Sequence, residues 1–370
     1  DRSAVLDVTN RLDRVDPYRV LLSNLLLSRA VVDRAAERRG DEAWQEQARR
    51  DPASRVIVAC EGGLLLDSAV NARASLVSVP ASEVEGLGVS ADGDLTYLGL
   101  DDDGAACFAW HPNSRDDVDL TAWNDASWGE LRQVGELLDP RDAGLAVTAV
   151  ALDHWRRTHL HCPRCGAPTR WAAGGWSAVC PDDGSEHFPR TDPAVICLVR
   201  DRDDRALLAR QGVWAQGWFS TLAGFVEAGE SAEAALRREV REESGIVLAS
   251  GPHDIAYLGS QPWPFPRSLM LGYHAWTDDP ALSVDGEEIH EATWFTRDEL
   301  ARACAAGEVR LPPSISIARR LIERWYGSEL PGDWSRPLSA MTSRVIGAFR
   351  RWQYPHQGVL NMMMVSVSGA

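Results

Sequence analysis

A cluster of glutamates in residues 224–247 combines residue types and spacing that could hold a divalent metal. The segment reads GFVEAGESAEAALRREVREESGIV and brings Glu239, Glu242 and Glu243 close together in sequence. On a helix that advances about 100° per residue, Glu239 and Glu243 lie within about 60° of Leu236, inside the apolar stripe. Because buried carboxylates are costly without a cation, the pattern predicts a hard cation such as Mg²⁺ at this face. The alternative is a solvated, charged surface helix.

A second stretch, SQPWPFPRSLM at residues 260–270, alternates prolines with Trp263 and Phe265. Proline cannot donate a backbone hydrogen bond, so the stretch predicts neither a central strand nor a helix but a stiff, extended loop. Stiffness reduces the entropy lost on binding, and aromatic faces accept flat rings. The stretch therefore predicts a binding loop for a planar group, and the alternative is a structural loop that packs on the core.

Three cysteines have the spacing of a small metal site. Cys162 and Cys165 form a CxxC pair, and Cys180 is followed three residues later by Asp183, where a second pair would have cysteine. Zinc prefers thiolate and imidazole ligands but accepts a carboxylate. Candidates for the fourth ligand are Asp183, His187 and His161. A single CxxC pair could also serve redox chemistry.

The glutamate segment resembles a complete Nudix box. The fixed positions of that motif are filled by Gly224, Glu230, Arg238, Glu239, Glu242, Glu243 and Gly245. Nudix enzymes hydrolyse a pyrophosphate that links a nucleoside to another group, and their box forms a loop, a helix and a loop. The resemblance implies that Glu230 and Arg238 form an internal ion pair. It also implies that Gly224 and Gly229 serve the leading turn and that Gly245 ends the helix.

The other two motifs are similar to those of bacterial NADH pyrophosphatases, also called NAD-decapping Nudix hydrolases. The proline-rich stretch resembles their signature loop, although that family usually has Gln where this chain has Arg267. The cysteines resemble their zinc ribbon, which implies one structural Zn²⁺ bound by Cys162, Cys165, Cys180 and Asp183. The family also forms homodimers, which implies a homodimer here.

The same resemblance implies a role for individual residues. The implied ligands of two or three Mg²⁺ or Mn²⁺ ions are the Ala223 carbonyl, Glu239, Glu243 and Glu288. The implied catalytic residues are Glu243, Glu239, Glu242 and Glu288. Glu287 and Glu291 are close competitors for the role of Glu288. The implied substrate contacts are Phe188, Phe225, Gln261, Pro262, Trp263, Pro264, Phe265, Pro266, Arg267, Ser268, Ala318 and Arg132. The alternative for Arg132 is a solvated helix arginine.

Length and composition limit the fold and the partners. The chain has 370 residues, of which 45% are hydrophobic, and this suggests two or three domains. No apolar run is long enough to span a membrane, and the early acidic residues do not resemble a signal peptide, so we expect a cytoplasmic protein. The net charge of −16 argues against a long basic face for nucleic acid. Any RNA contact should therefore centre on the 5′ end.

The elements that position these motifs follow from the pattern along the chain. Residues 1–158 predict a β-rich α+β domain that supports substrate binding and dimerisation, with hairpins at 55–67 and 95–111. Residues 159–190 predict a zinc ribbon, and residues 191–327 an α/β catalytic domain with the Nudix αβα sandwich fold. Residues 328–370 predict a poorly ordered tail without an assigned function. No internal repeat is apparent in the sequence.

The expected activity is metal-dependent hydrolysis of the pyrophosphate bond of NAD(H), giving AMP and NMN(H), and removal of NAD caps from RNA 5′ ends. One alternative is a Nudix hydrolase of another nucleoside diphosphate derivative such as ADP-ribose, which the departure at Arg267 leaves open. An alternative of another class is a non-catalytic nucleotide- or RNA-binding module. The complete carboxylate set argues against that alternative.

Overall fold

The computed structural model describes residues 21–334, except residues 24, 30–31, 71–72, 88–94, 124–125, 252 and 285. The expectation of weak order for residues 335–370 lies outside the described residues. Among the described residues, no helix is long and apolar enough to cross a membrane.

The described residues form three β-sheets with helices packed against two of them. The strands of the first sheet are β1 (Arg55–Cys60), β2 (Gly63–Val70), β3 (Arg73–Leu76), β4 (Ser78–Pro80), β5 (Leu95–Leu100), β6 (Ala106–Trp110) and β7 (Ser127–Glu130). A small second sheet contains β8 (Arg170–Ala172), β9 (Ser177–Val179) and β10 (Glu186–His187). The third sheet contains β11 (Asp192–Arg200), β12 (Ala206–Gln211), β13 (Leu222–Phe225), β14 (Ile255–Trp263), β15 (Ser268–Trp276) and β16 (Ile289–Phe295). The α-helices are α1 (Glu42–Arg50), α2 (Leu131–Val134), α3 (Pro140–Thr158), α4 (Ala232–Ser244), α5 (Arg297–Ala306) and α6 (Ile317–Tyr326).

The first and third sheets share one strand arrangement. In the third sheet the order is β14-β15-β11-β12-β16, with β13 on β11, and only the β11–β15 pair is parallel. In the first sheet the corresponding order is β5-β6-β1-β2-β7, with β4 on β1, and only the β1–β6 pair is parallel. The first sheet adds β3 beside β2. The structure therefore contains a repeat that the sequence does not reveal.

The two sheets of this repeat differ in the helix that follows β13 in one and β4 in the other. In the third sheet, β13 is followed by the long helix α4. In the first sheet, the described residues that follow β4 form a short 3₁₀ helix, Ala81–Leu87. Among the described residues, a long glutamate-rich helix at this position is therefore found in the third sheet and not in the first.

Local sequence signals set the bounds of the key helices. The side chain of Ser231 accepts a hydrogen bond from the Ala234 N–H and caps the start of α4. Gly245, at φ 73°, ends that helix in the left-handed conformation that favours glycine. Helix α3 begins at Pro140, directly after the Asp139 cap, at a position where proline is favoured.

The proline-rich stretch is an edge hairpin rather than a loop. Residues 260–263 belong to β14, the edge strand, and Trp263 lies opposite Ser268 of β15. Only residues 264–267 form the connecting turn, which contains a cis peptide bond before Pro266. The prediction of a loop is wrong for 260–263 and from 268 onward. An edge strand tolerates Pro262 because its outer side needs no donor.

The end of the described chain is packed, where the sequence predicts weak order. Leu330 and Trp334 are buried, and the Trp334 ring stacks on Trp218 with a centroid distance of 5.3 Å. The Arg319 side chain donates hydrogen bonds to the backbone carbonyls of Leu330 and Gly332. The expectation of a poorly ordered tail is therefore wrong for residues 328–334, because a non-local aromatic contact holds them.

Candidate active site and metal centres

Helix α4 turns its carboxylates toward the protein as the periodicity predicts. Glu243 is only 2% exposed, Glu239 is half-buried, and Glu242 is exposed at the edge of the same face. Burial raises the pKa of the Glu239 carboxyl, Arg238 opposes that rise, and the charges of Glu242 and Glu288 increase it. Two further carboxylates therefore act on Glu239 through their charge, one of them from the segment before β16.

The carboxylate of Glu239 lies directly over Gly224. A Cβ at position 224 would overlap the carboxyl carbon and both oxygens of Glu239. Gly224 lies in β13 and has no left-handed φ, so its predicted role in a tight turn is wrong. The turn is made by Gly229 instead, at φ 86°. Glycine at 224 serves to let the α4 carboxylate approach the strand.

Arg238 connects the box loop to the box helix. Its guanidinium donates to both oxygens of Glu230 at 2.9 Å and to the Phe225 carbonyl at 2.9 Å. It also lies 2.9 Å from Glu239 and 3.0 Å from Glu242. The Glu230 hydrogen bonds are the main reason why the pKa of Arg238 is raised. The predicted ion pair is confirmed, and it fixes the helix relative to the strand that leads into it.

This donor set fits a hard divalent cation. Glu239, Glu243 and Glu288 carry the carboxylate oxygens that would hold it, and Ala223 precedes the glycine over which Glu239 lies. Among the described residues, no three of these carboxylates have oxygens within 4.8 Å of one another. Mg²⁺ and Mn²⁺ prefer oxygen ligands of this kind. Of the two competitors for the role of Glu288, Glu291 pairs with Arg210 at 3.2 Å, on the β12–β16 ladder. Glu288 is favoured over Glu291 because its charge acts on the Glu239 carboxylate.

The N-terminal domain contributes a cation to the aromatic hairpin. The Arg132 guanidinium lies 4.3 Å from the Phe265 ring centroid and 5.5 Å from the Trp263 ring centroid. Burial lowers the pKa of Arg132 to about 10. The alternative of a solvated helix arginine is therefore wrong. The contact joins α2, which is distant in sequence, to the hairpin that the sequence predicts to bind a planar group.

The predicted substrate residues lie in three different environments. Gln261 and Ala318 are fully buried, and the Gln261 amide donates to the Ile315 carbonyl at 2.7 Å. Pro262, Trp263, Pro264, Phe265, Pro266 and Ser268 form the hairpin, and Phe225 is half-buried at the end of β13. Phe188 is 63% exposed at the end of the ribbon. The structure thus brings the hairpin and Arg132 together, whereas Gln261 and Ala318 lie in the core.

Arg267, which departs from the family pattern, has a partner that the sequence reading missed. Its Nε donates to the Asp192 carboxylate at 2.7 Å, and Arg190 also pairs with Asp192. Both arginines hold the pKa of Asp192 below its ordinary value against the effect of burial. Asp192 begins β11, and Arg267 directly precedes the neighbouring parallel strand β15, so no local sequence pattern would have paired them.

The cysteine cluster has the composition of a zinc site. The ligand atoms of Cys162, Cys165, Cys180 and Asp183 lie within 4.8 Å of one another. The Cys165 and Cys180 sulfurs are 3.4 Å apart, and the Cys162 sulfur is 3.6 Å from Asp183. His187 contacts the Ser185 hydroxyl at 3.0 Å and is outside this cluster. Of the candidates for the fourth ligand, the structure brings Asp183 into place.

Comparisons with known proteins match all three parts of the chain. The NADH pyrophosphatase-like rudimentary NUDIX domain matches residues 53–155, the NADH pyrophosphatase zinc ribbon domain residues 157–188, and the NUDIX domain residues 190–313. The chain is 43% identical over 320 residues to the NAD-capped RNA hydrolase NudC of Mycobacterium bovis, covering 82% of this chain and 95% of that protein. It is 42% identical over 205 residues to NAD-capped RNA hydrolase NudC of Stutzerimonas stutzeri, covering 55% and 70% of the two chains. It is 39% identical over 214 residues to the mitochondrial NAD(P)H pyrophosphatase NUDT13 of Homo sapiens, covering 54% and 59%.

Proposed function

Because the chain belongs to the Nudix family of NADH pyrophosphatases and NAD-capped RNA hydrolases, we propose that it hydrolyses the pyrophosphate bond of NAD(H) and removes NAD caps from RNA 5′ ends. The products are AMP and NMN(H) from the free dinucleotide, and NMN and 5′-monophosphate RNA from the capped RNA. The observation that carries this proposal is the Glu239 carboxylate seated over Gly224, on the same helix face as the buried Glu243.

Different residues of the chain have different roles in this reaction. Glu239, Glu243 and Glu288, with the Ala223 carbonyl, would hold two or three Mg²⁺ or Mn²⁺ ions. When bound, these ions neutralise the pyrophosphate charge and lower the pKa of a water. Glu242, exposed at the edge of the carboxylate face, would accept the proton of the attacking water.

The aromatic residues orient the substrate. Phe225 follows the box glycine directly, and the hairpin presents Trp263 and Phe265 with their ring centroids 5.0 Å apart. Arg132 lies over the Phe265 ring, which fixes the hairpin against the N-terminal domain. Flat nucleoside rings stack favourably on such faces. The departure from the family pattern at Arg267 was the reason to consider ADP-ribose as an alternative substrate. Because the Arg267 side chain is paired with Asp192, that reason no longer applies.

Two further parts of the proposal concern the assembly. One structural Zn²⁺ per chain is held by Cys162, Cys165, Cys180 and Asp183. The protein forms a homodimer in which Phe188, an aromatic side chain that is 63% exposed in the single chain, contributes to a nucleotide pocket. Sedimentation of the intact protein tests the dimer, and a monomer that is fully active would contradict it.

The deciding experiment is chromatographic analysis of the products formed from NADH, NAD⁺, ADP-ribose and NAD-capped RNA with Mg²⁺ or Mn²⁺. We expect AMP and NMNH from NADH, and a 5′-monophosphate RNA from the capped RNA. Glu243→Gln should lose turnover by orders of magnitude, because the substitution removes a ligand charge and leaves the side-chain volume almost unchanged. Its melting temperature without metal should hold or rise, because a buried charge is gone.

The matched control is Glu233→Gln, the same chemical change on the exposed first turn of α4. Glu233→Gln should retain turnover. An active Glu243→Gln protein would show that the inward carboxylates do not hold the metal. Wild-type protein that binds NADH but cleaves no substrate would support the non-catalytic alternative.

A further inference from the structure

The described residues of 22–33, here called the N-terminal strap, lie along the edge of the third sheet. The Leu22 N–H donates to the Leu258 carbonyl at 2.7 Å, and the Ser28 hydroxyl donates to the Ser260 carbonyl at 3.0 Å. Both acceptors belong to β14, the edge strand whose end forms the aromatic hairpin. The strap therefore supplies hydrogen bonds to the outer side of the strand that leads into the hairpin.

The strap also reaches the corresponding edge of the first sheet. Asp33 and Leu100 exchange two backbone hydrogen bonds, of 3.1 and 2.7 Å, in an antiparallel bridge. Leu100 ends β5, which has the same place in the first sheet as β14 has in the third. Both strands contain the sequence Tyr-Leu-Gly, at 97–99 and 257–259, and the strand register is irregular at both glycines. The strap thus joins equivalent edges of the two sheets.

The two glycines allow the strap to come close to both strands. Gly99 has φ 148° and Gly259 has φ 134°, values that favour glycine. A Cβ at position 99 would lie 2.3 Å from the Asp33 carbonyl oxygen. A Cβ at position 259 would lie 3.5 Å from the Leu25 side chain. The irregular position of each edge strand is therefore the position that the strap covers.

Arg29 connects the strap to the short helix α2. Its Nη2 donates to the carbonyls of Gly135 at 2.9 Å and Leu138 at 3.1 Å, and its Nε donates to the Leu26 carbonyl at 2.8 Å. Gly135 is the residue that caps the C-terminal end of α2, where carbonyls lack partners within the helix. The same strap that lies on β14 therefore also holds the end of α2.

The contact between Arg132 and Phe265 lies between these two attachments. Arg132 belongs to α2, and Phe265 belongs to the hairpin that continues β14. Because α2 has only four residues, its position depends on tertiary contacts rather than on its own helical stability. The buried Leu131 fixes its first residue in the core, and Arg29 fixes its end.

We propose that Arg29 is a positioning residue for dinucleotide binding. By holding α2 beside β14, the strap places the Arg132 guanidinium over the Phe265 ring before the substrate arrives. A hairpin that is already ordered loses less entropy on binding. This inference rests on the proposed function, in which the hairpin binds the flat rings of NAD(H). Arg29 does not touch the substrate, because it donates to backbone carbonyls and acts through Arg132.

The first test separates binding from chemistry. Arg29→Gln should raise KM for NADH about tenfold, a factor within the range of one desolvated cation–π contact. Its kcat should stay close to wild type, because the carboxylates of α4 are unchanged and the lost interaction affects ground state and transition state alike. Arg29→Lys should restore part of the affinity, since an ammonium can donate to the same carbonyls without the arginine fork. Thermal melting shows that each variant is folded at the assay temperature.

The second test asks whether Arg29 acts through Arg132. Arg132→Gln should also raise KM, and the double variant should be no weaker than Arg132→Gln alone, because residues that act through one contact are not additive. Fully additive losses would mean that Arg29 has only a general structural role, and they overturn the proposal.

The matched control is Arg55→Gln, another half-buried arginine of the first domain. The Arg55 Nη1 also donates to two backbone carbonyls, those of Pro52 at 2.7 Å and Ser54 at 3.2 Å, in the loop before β1. Arg55→Gln should keep KM and kcat for NADH. Equal rises in KM for Arg29→Gln and Arg55→Gln, or no rise for Arg29→Gln, overturn the role of Arg29.

Binding separates this inference from the proposed function. In a Glu243→Gln background, titration calorimetry should find that Arg29→Gln weakens NADH binding about tenfold, the same factor as for KM. If that difference is found and the wild-type protein cleaves no NADH, the proposed function fails and the role of Arg29 stands. If the wild-type protein cleaves NADH and the affinity does not depend on Arg29, the role of Arg29 fails and the proposed function stands. A wild-type protein that neither binds nor cleaves NADH overturns both.

Discussion

Replacing Gly224 with alanine should remove the activity and leave the fold intact. The new Cβ would overlap the carboxyl carbon and both oxygens of Glu239. An ordinary van der Waals contact of a Cβ is 3.4–4 Å, so the carboxylate has to withdraw by more than about 1 Å. The far end of a glutamate can make that movement by rotating, whereas the backbone of β13 need not move.

The expected size of the effect follows from this movement. A displacement of about 1 Å in a catalytic constellation costs roughly 100-fold in rate. Withdrawal also breaks the 2.9 Å contact of Glu239 with Arg238. The free energy of unfolding should change little. Replacing glycine by alanine at an allowed φ lowers the conformational entropy of the unfolded chain and so stabilises the fold by about 0.4–1 kcal/mol. This stabilisation offsets part of the free energy that the Glu239 side chain loses by moving to a new rotamer.

The assay pairs NADH turnover with thermal melting, in Mg²⁺ and without metal. Gly224→Ala should lose at least about 100-fold in kcat and melt close to wild type. Gly229→Ala provides the opposite signature, because Gly229 has φ 86° and open space around it. It should keep turnover and lose about 1–2 kcal/mol of stability to backbone strain. A fully active Gly224→Ala protein would refute the idea that Glu239 must lie over the strand.

Three further predictions concern other parts of the molecule. Metal analysis should find one zinc per chain, and Asp183→Ala should weaken its binding more than His187→Ala; the reverse order would exchange the two ligands. A chain that ends after Gly327 should melt roughly 5–10 °C below a chain that ends after Trp334, because the ring stack is lost; equal melting of both would contradict this. Burial lowers the pKa of His274 to about 3, so the unfolded state binds the extra proton between pH 6.5 and 3. Stability should therefore fall by up to about 1.4 kcal/mol per pH unit as the pH drops through this window. His274→Gln should show a flatter dependence of its melting temperature on pH, and an unchanged slope would refute the assignment.

Local patterns in the sequence were enough to predict the chemistry of α4. The period of the helix places Glu239 and Glu243 on the buried side, and Ser231 and Gly245 mark its ends. Each of these signals depends on only a few neighbouring residues, so it can be recognised without knowledge of the fold. The cysteine spacing predicted the ribbon cluster for the same reason, since its turns are short.

Predictions that depended on the resemblance needed the structure for their geometry. The family pattern implied that the hairpin binds substrate, but it did not show that 260–263 is an edge strand. Strand order decides whether Pro262 is tolerated, and strand order is set by pairing between distant segments. In the same way, Gly224 was assigned to a turn until the contact with Glu239 showed why glycine is required there.

The sequence by itself determined which residues carry charge, where the helix and strand signals lie, and which face of α4 holds the carboxylates. Only the tertiary structure decided which distant groups meet: Glu239 over β13, Arg132 over Phe265, and Arg267 beside Asp192. It also decided that the first sheet repeats the strand order of the third, with a 3₁₀ helix in the described residues where the third sheet has α4. The physical reason is the range of the interactions. Helix periods and caps act between near neighbours, whereas sheet order and stacking depend on packing between segments that no local pattern connects.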